Sequence, residues 1–506
     1  MWRILVIGFL LPVAFAQSFY ISTPAGPLRG GVNEAFKVAY FLGIPYAKAA
    51  RWKRPVMVTE WEGVLEATRP GPACPQRGSL ASRLGGFLPP QSEDCLNLNI
   101  WMPVAKPPAG GWPVMVFVHG GSFTNGSGAE QIYDGTSLAM RGAVVVTINY
   151  RLGVLGFLAL PAFQAEDQDR SAGNYGLLDQ LEALAWVRRN IGFFGGNPGN
   201  VTLFGHSAGG MSVCALLASP LSKGLFHKAI LQSGGCEYVK TLAQGFKSGL
   251  QIAGALGCPG GDAACLRALP LASFFPPADL DIGAALRSLE SVGFASGPYK
   301  PHVDGYVLNK MPLDALRQGA AQGMPLIAGA TSQETWGDVP AGPGDWASWL
   351  ERAKPVLNDR AEEGLKVYQR RNPDPREAWA YFQSDRTLVC PSLEAARAQS
   401  RYAPTYAYLV TYVSPVFPQL GSFHGIEIPL LFGTEAAWPF WMLFSTAPAL
   451  EQGQLLAKEL QERWTNFARS GDPGGWPSYQ SGSALRIDTT LSVIPDPLVE
   501  RCAMFQ

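Results

Sequence analysis

Residues 201–218 read VTLFGHSAGGMSVCALLA, and this stretch limits the available folds more than any other. A short β-favouring run, Val201 to Phe204, stands before Ser207, and an apolar helix-like run follows it. Passing from strand to helix within a few residues demands a tight, strained bend. A Cβ at Gly205 or Gly209 would collide with neighbouring backbone, so glycine on both sides fits the bend. The G-x-S-x-G spacing between strand and helix is that of a nucleophile elbow. Such a turn leaves the Ser207 hydroxyl proud at a helix head, where the helix dipole favours negative charge. Five-residue matches arise by chance, so the flanking strand and helix carry most of the weight.

Other runs repeat the alternation. VMVFVHGG (114–121) and AVVVTINY (143–150) are continuous and β-branched, as suits strands buried on both faces of a parallel sheet. HKAILQSG, MPLIAGATS and TYAYLVTY (405–412) predict further strands. YGLLDQLEALAWVRRNI (175–191) spaces its apolar residues three and four apart and predicts a helix. Residues 450–471 predict a long amphipathic helix stopped at Gly471. The pattern predicts an α/β fold with a large, mostly parallel central sheet flanked by helices. The stretches 260–320 and 335–400 alternate less clearly and read as insertions over the sheet's carboxyl edge.

A serine nucleophile needs a base, and the chain has five histidines. In this architecture the order is nucleophile, acid, histidine. His119 and His206 precede Ser207, and His227 follows too soon to leave room for an acid. Of His302 and His424, the latter lies beyond a late strand in a glycine-flanked loop, where the base is expected. The acid should sit at a strand's carboxyl end between them. PLIAGATSQETW reaches Glu334, with Asp338 and Asp304 as rivals. Its role would be to fix the His424 tautomer and stabilise the imidazolium. HGGSF (119–123) follows a buried strand, and the Gly120 and Gly121 amides, with that of Ala208, would form an oxyanion hole. His206, beside the nucleophile, should point its ring into the wall of the site.

The chain has 506 residues, net charge zero and 47% hydrophobic composition, which excludes a disordered chain. The neutral balance leaves no electrostatic footprint for nucleic acid or an anionic membrane. Residues 1–16 have a basic start, about 13 apolar residues and an Ala-Phe-Ala end, the pattern of a cleaved signal peptide. Residues 17–506 then form one domain, secreted outside the cell or into a periplasm, with no further membrane span. Export permits disulfides. Of the eight cysteines, Cys258 and Cys265 flank a glycine-rich turn, Cys74 and Cys95 flank a polar loop, and Cys214 reads as a free buried thiol. Spacing alone does not fix the pairing.

Taken together, these motifs resemble the type-B carboxylesterases, the α/β-hydrolases that include the cholinesterases. FGGNPGNVTLFGHSAG (194–209) is similar to that family's nucleophile signature, and EDCLNLNIWMP (93–103) to its second signature, with Asn97 as a departure. NYRLGVLGFL, PHVDG, FHGIEIPLLFG and WTNFARSGDP fit as well, from about residue 19 to the carboxyl end. The resemblance implies a Ser207–Glu334–His424 triad and Gly120, Gly121 and Ala208 as oxyanion donors. It implies disulfides Cys74–Cys95, Cys258–Cys265 and Cys390–Cys502, with Cys214 and Cys236 free. No metal or cofactor is expected. Two departures bear on substrate: the loop after Cys74 has Phe87 as its only aromatic, and His206 replaces the family's usual Glu. Both count against choline esters. The expected activity is hydrolysis of carboxylic esters through an acyl-enzyme, the alternatives being a lipase- or cholinesterase-like esterase and a non-catalytic adhesion homologue. Trp336, Tyr238, Phe423 and Phe123 are candidate pocket aromatics.

Overall fold

The apolar runs lie side by side in one large sheet. The structure, a computed structural model, describes residues 18–77, 88–275, 299–337, 342–435 and 445–505. The expected signal peptide, Asp338 and Phe87 lie outside them. The sheet's main path contains β1 (Ser18–Thr23), β2 (Gly26–Asn33), β3 (Val38–Pro45), β4 (Asn97–Pro103), β5 (Trp112–Val118) and β6 (Val144–Ile148). It continues with β7 (Gly196–His206), β8 (Lys228–Gln232), β9 (Leu326–Thr331), β10 (Thr405–Val410), β11 (Ser483–Ile487) and β12 (Leu491–Pro495). Their spatial order is β1-β2-β3-β4-β6-β5-β7-β8-β9-β10-β11-β12. From β6 to β11 every neighbouring pair is parallel. The amino-terminal hairpins and the β11–β12 edge are antiparallel.

The central strands β5, β6, β9 and β10 are largely apolar and buried because both faces are covered. On β5, Val114, Val116 and Val118 point into one core, and Met115 and Phe117 into the other. The first core is closed by α1 (Tyr175–Asn190) and α2 (Ala208–Ala218), through residues such as Leu184 and Val213. The second is closed by α3 (Ala447–Ser470), which buries Leu456, Leu460, Trp464 and Phe467 at the 3.6-residue period. Gly471 ends α3 in the left-handed conformation, φ +83°. The weakly alternating stretch after residue 335 is helical: Trp346–Leu357, Ala361–Arg371, Pro375–Ser384 and Cys390–Gln399 follow one another. The first three share a satellite core around Trp349, Tyr368 and Phe382. Among the described residues no helix is long and apolar enough to cross a membrane.

Four disulfides join Cys74–Cys95, Cys214–Cys236, Cys258–Cys265 and Cys390–Cys502. The second corrects the expectation that Cys214 and Cys236 are free. Its cause is a close approach that sequence spacing does not reveal. The loop after β8 lies on the first turn of α2, so that a Cβ at Gly234 would stand 2.5 Å from the Gly210 backbone. One turn further along α2, Cys214 comes within 5.4 Å (Cα–Cα) of Cys236, inside the range a disulfide spans.

Candidate active site

Ser207 has φ 58° and ψ −125°, a conformation costing about 1–3 kcal/mol in a non-glycine residue and held only by its surroundings. Here the surroundings are backbone. The Ser207 N–H donates to Gln232 O on β8 at 2.8 Å, and Met211 N–H donates to Ser207 O at 2.9 Å. A Cβ at Gly205 would lie 2.5 Å from the Gly209 carbonyl, and one at Gly209 only 1.9 Å from Val118 O on β5. Neither neighbour can rotate away. Gly209→Ala is therefore expected to destabilise the fold by about 3 kcal/mol or more, read as a fall in the urea midpoint. Gly254→Ala meets nothing within 4 Å and should be neutral or slightly stabilising.

Beyond β9 the chain brings Glu334 to His424. The His424 Nδ1 stands 2.5 Å from Glu334 Oε2. Glu334 is 3% exposed, and its other oxygen accepts from the Ser233 hydroxyl at 2.6 Å and from Thr331 N–H at 2.7 Å. Three donors thus fix one carboxylate, which is the condition for burying a charge. Ser233 was not expected from the sequence. It follows β8, 101 residues before Glu334, and only the pairing of β8 with β9 makes them neighbours.

His206 lies in the wall. Its ring packs on that of His424, with centroids 4.4 Å apart and planes tilted 36°. A Cβ at Gly425 would meet the His206 ring at 3.0 Å. Burial, and then the neighbouring His424, hold the His206 imidazole well below its ordinary pKa. A neutral ring with no bond to Glu334 packs against His424. His206→Ala is expected to change kcat by less than roughly tenfold, in keeping with lost packing rather than lost chemistry, measured on a p-nitrophenyl ester at saturation.

Beneath Glu334 lies a second buried carboxyl. Glu427 is 1% exposed; among the described residues neither oxygen meets a hydrogen-bond partner at good geometry, and the Gln232 side chain and its own backbone N–H are the polar groups facing it. Burial, and secondarily the Glu334 charge, push it up to about 7 from 4.5. A carboxyl raised on folding binds its proton more tightly in the folded chain, so stability falls as pH rises from about 4.5 through 7. Glu427→Gln removes that dependence. Relative to the parent, it should gain on the order of 2–3 kcal/mol between pH 5 and 8, read from urea unfolding at each pH.

The loop after β5 faces the elbow. A Cβ at Gly120 would lie 3.0 Å from the Ser207 Cβ and 2.9 Å from His206 O. Gly121 has φ +105° and a Cβ there would strike Asn125 O at 2.0 Å. Among the described residues, the amides of Gly120, Gly121 and Ala208 donate to no backbone acceptor. His119 is buried and stacked on Tyr150, and burial lowers it to about 4.

The remaining alternatives have structural partners. His227 Nδ1 accepts from Val201 N–H, and the buried His302 ring meets Gly173 O. Asp304 accepts the N–H groups of Tyr306, Val307 and Leu308 and the Ser171 hydroxyl, the pattern of a turn. Of the candidate pocket aromatics, Phe123 packs in the core on Phe157, and the Tyr238 hydroxyl donates to Thr387 O. Trp336 packs on Tyr381, and Phe423 is partly buried against the α3 core. A cavity of about 340 Å³ instead adjoins Thr124 and Asn125, with Phe274, Phe275 and Tyr299 on its walls. Another, of about 370 Å³, lies beside Cys390–Cys502 and includes none of the residues at the elbow. No group of three or more His, Cys, Asp or Glu suited to a metal ion occurs among the described residues.

Known proteins share this organisation. The model of the carboxylesterase family matches residues 17–504. A para-nitrobenzyl esterase of Bacillus subtilis (strain 168) is 36% identical over 500 residues, covering 95% of this chain and 97% of that protein. A fumonisin B1 esterase of Sphingopyxis macrogoltabida is 34% identical, covering 95% and 88%. A thermophilic PNB esterase of known structure superposes with a TM-score of 0.82 at 33% identity, over 96% of this chain and 99% of that one. The fold is that of the α/β-hydrolases, and the chain belongs to the carboxylesterase family of ester hydrolases.

Proposed function

We propose that the chain is an exported serine carboxylesterase that works through an acyl-enzyme. The observation that carries this reading is the 2.5 Å bond between His424 and Glu334 beside the strained Ser207 elbow. His424 donates its Nδ1 proton to Glu334 and so presents Nε2 as the base. Ser207 attacks the ester carbonyl as its proton passes to Nε2, and the same proton leaves with the alcohol. Water then repeats the sequence on the acyl-serine. The amides of Gly120, Gly121 and Ala208 receive the oxyanion.

Relatives act on para-nitrobenzyl esters and on fumonisin B1, as their names say. The aromatic walls of the cavity beside the Gly121 turn suit an apolar or aromatic ester group. A neutral His206 gives a cationic alcohol no partner at the elbow. A radiolabelled organophosphate should attach to the peptide containing Ser207 and abolish hydrolysis of p-nitrophenyl butyrate. Label on another residue, or an inert purified protein, would refute the assignment. Export is supported by four disulfides, which persist in oxidising compartments. Amino-terminal sequencing of the mature protein should begin at Gln17.

A further inference from the structure

The loop carrying Gly120 and Gly121 holds four departures from ordinary backbone within six residues. Gly121, Ser122, Phe123 and Gly126 have φ of +105°, +54°, +60° and +110°. Two of these are not glycine, so the loop keeps its shape only if something outside it enforces that shape. Its near end is set by β5. Inside the loop, Thr124 and Asn125 N–H groups both donate to Gly121 O, at 2.9 and 3.0 Å. Its far end, at Gly126, is held by a side chain from a different part of the chain.

That side chain is Gln76, two residues after Cys74 and 4% exposed. Its Nε2 donates to Gly126 O at 2.8 Å, and its Oε1 accepts from Gly126 N–H at 2.8 Å. One amide therefore satisfies both backbone groups of one residue. Gln76 is itself fixed. Nε2 also donates to Cys74 O at 3.0 Å, and the Gln76 N–H donates to Gln91 Oε1 at 2.9 Å. Cys74 is anchored by its disulfide to Cys95. Gly126 in turn lies directly on the residues it would steer, for a Cβ there would meet His119 Nδ1 at 2.5 Å and Gly120 O at 2.7 Å. The chain of contacts runs from the Cys74–Cys95 bridge through Gln76 and Gly126 to the Gly120 peptide.

We infer that Gln76 is a positioning residue for ester hydrolysis, which clamps the far end of the 120–126 loop and so sets where the Gly120 and Gly121 amides stand when the oxyanion forms. The inference rests on the serine-esterase reading. Donors to a developing charge act within a few tenths of an ångström, because a charge-assisted bond weakens steeply with length. The middle of the loop is pinned at Phe123, whose carbonyl accepts from Gly153 N–H at 2.6 Å and whose ring packs on Phe157. Loss of Gln76 frees the segment beyond it, and Gly126, which lies on Gly120 O, passes that freedom to the donors. The expected loss therefore falls on the transition state and spares ground-state binding.

The test uses the full chain with Gln76→Ala and Gln76→Glu. The second keeps the size and one acceptor, removes the Nε2 donor and sets a carboxylate against Gly126 O. Ser207 sites filled by a radiolabelled organophosphate at completion count the folded enzyme, and kcat is expressed per filled site. Expected for both variants is a roughly 10–100-fold lower kcat per site on p-nitrophenyl butyrate, with KM within about threefold. The affinity for an alkyl trifluoromethyl ketone, which forms the tetrahedral adduct, should fall by the same factor as kcat/KM. An unchanged kcat per site overturns the inference, whether or not the number of sites falls, since Gln76 would then serve folding alone. So does a rise in KM alone, or a lower kcat with undiminished ketone affinity. Failure of the underlying reading is separable: a Ser207→Ala enzyme that still hydrolyses the ester rejects the nucleophile whatever Gln76 does.

Discussion

His424→Ala is expected to lower kcat on p-nitrophenyl esters by about 10⁴–10⁶-fold, as removal of a base acting in concert with its nucleophile does. The expectation rests on geometry. His424 is the histidine bonded to a buried carboxylate, at 2.5 Å, and its ring is the one that meets His206 across 4.4 Å. On the proposed mechanism, its loss leaves the Ser207 hydroxyl without an acceptor for its proton and the alcohol without a donor on departure. KM should move much less, because the apolar walls and the 120–126 loop are untouched. The comparison with His206→Ala is the sharper measurement. Adjacent rings contribute similar packing, so equal losses in the two variants would mean that the base has been misassigned.

Glu334→Gln is the second large effect, about 10⁴-fold in kcat, with the fold retained. The substitution is nearly isosteric, yet it reverses the hydrogen-bond logic. Glu334 accepts on both oxygens, from His424 on one and from Ser233 and Thr331 on the other. A glutamine has one acceptor. If its oxygen stays with Ser233 and Thr331, its NH₂ faces His424 Nδ1 and favours the tautomer that carries the proton on Nε2, where a base needs a lone pair. Stabilisation of the imidazolium is lost as well. Kinetics at saturating ester, with organophosphate titration to count sites, measure this. A loss below tenfold would return the acid's role to another carboxylate.

Local features made the strained turn at Ser207 legible. The strand, the glycines and the helix are contiguous in sequence, and the glycine requirement is a short-range steric one. His424 emerged by elimination among five histidines, and Glu334 from its place at the end of an apolar run. What stayed hidden depends on which strands are neighbours. Ser233 reaches Glu334 because β8 pairs with β9, and Cys214 reaches Cys236 because the loop after β8 lies on α2. Gln76 gives no signal in its own segment, for its partner is backbone, 50 residues away. The stretch after residue 335 blurred the alternation because several helices there follow one another and build a core of their own around Trp349. Phe123 looked like a pocket residue by position, yet its positive φ and its contact with Phe157 turn it inward.

The crowding of Gly205, Gly209 and Val118 O has a consequence for how this enzyme tolerates its surroundings. Excluded volume, unlike an ion pair, does not fade with added salt, a change of acidity or moderate warming. Ser207, the proposed nucleophile, is seated by that kind of force. Its placement should therefore persist until the sheet itself gives way, so that catalytic power per intact molecule stays level on heating and then drops together with the cooperative melt.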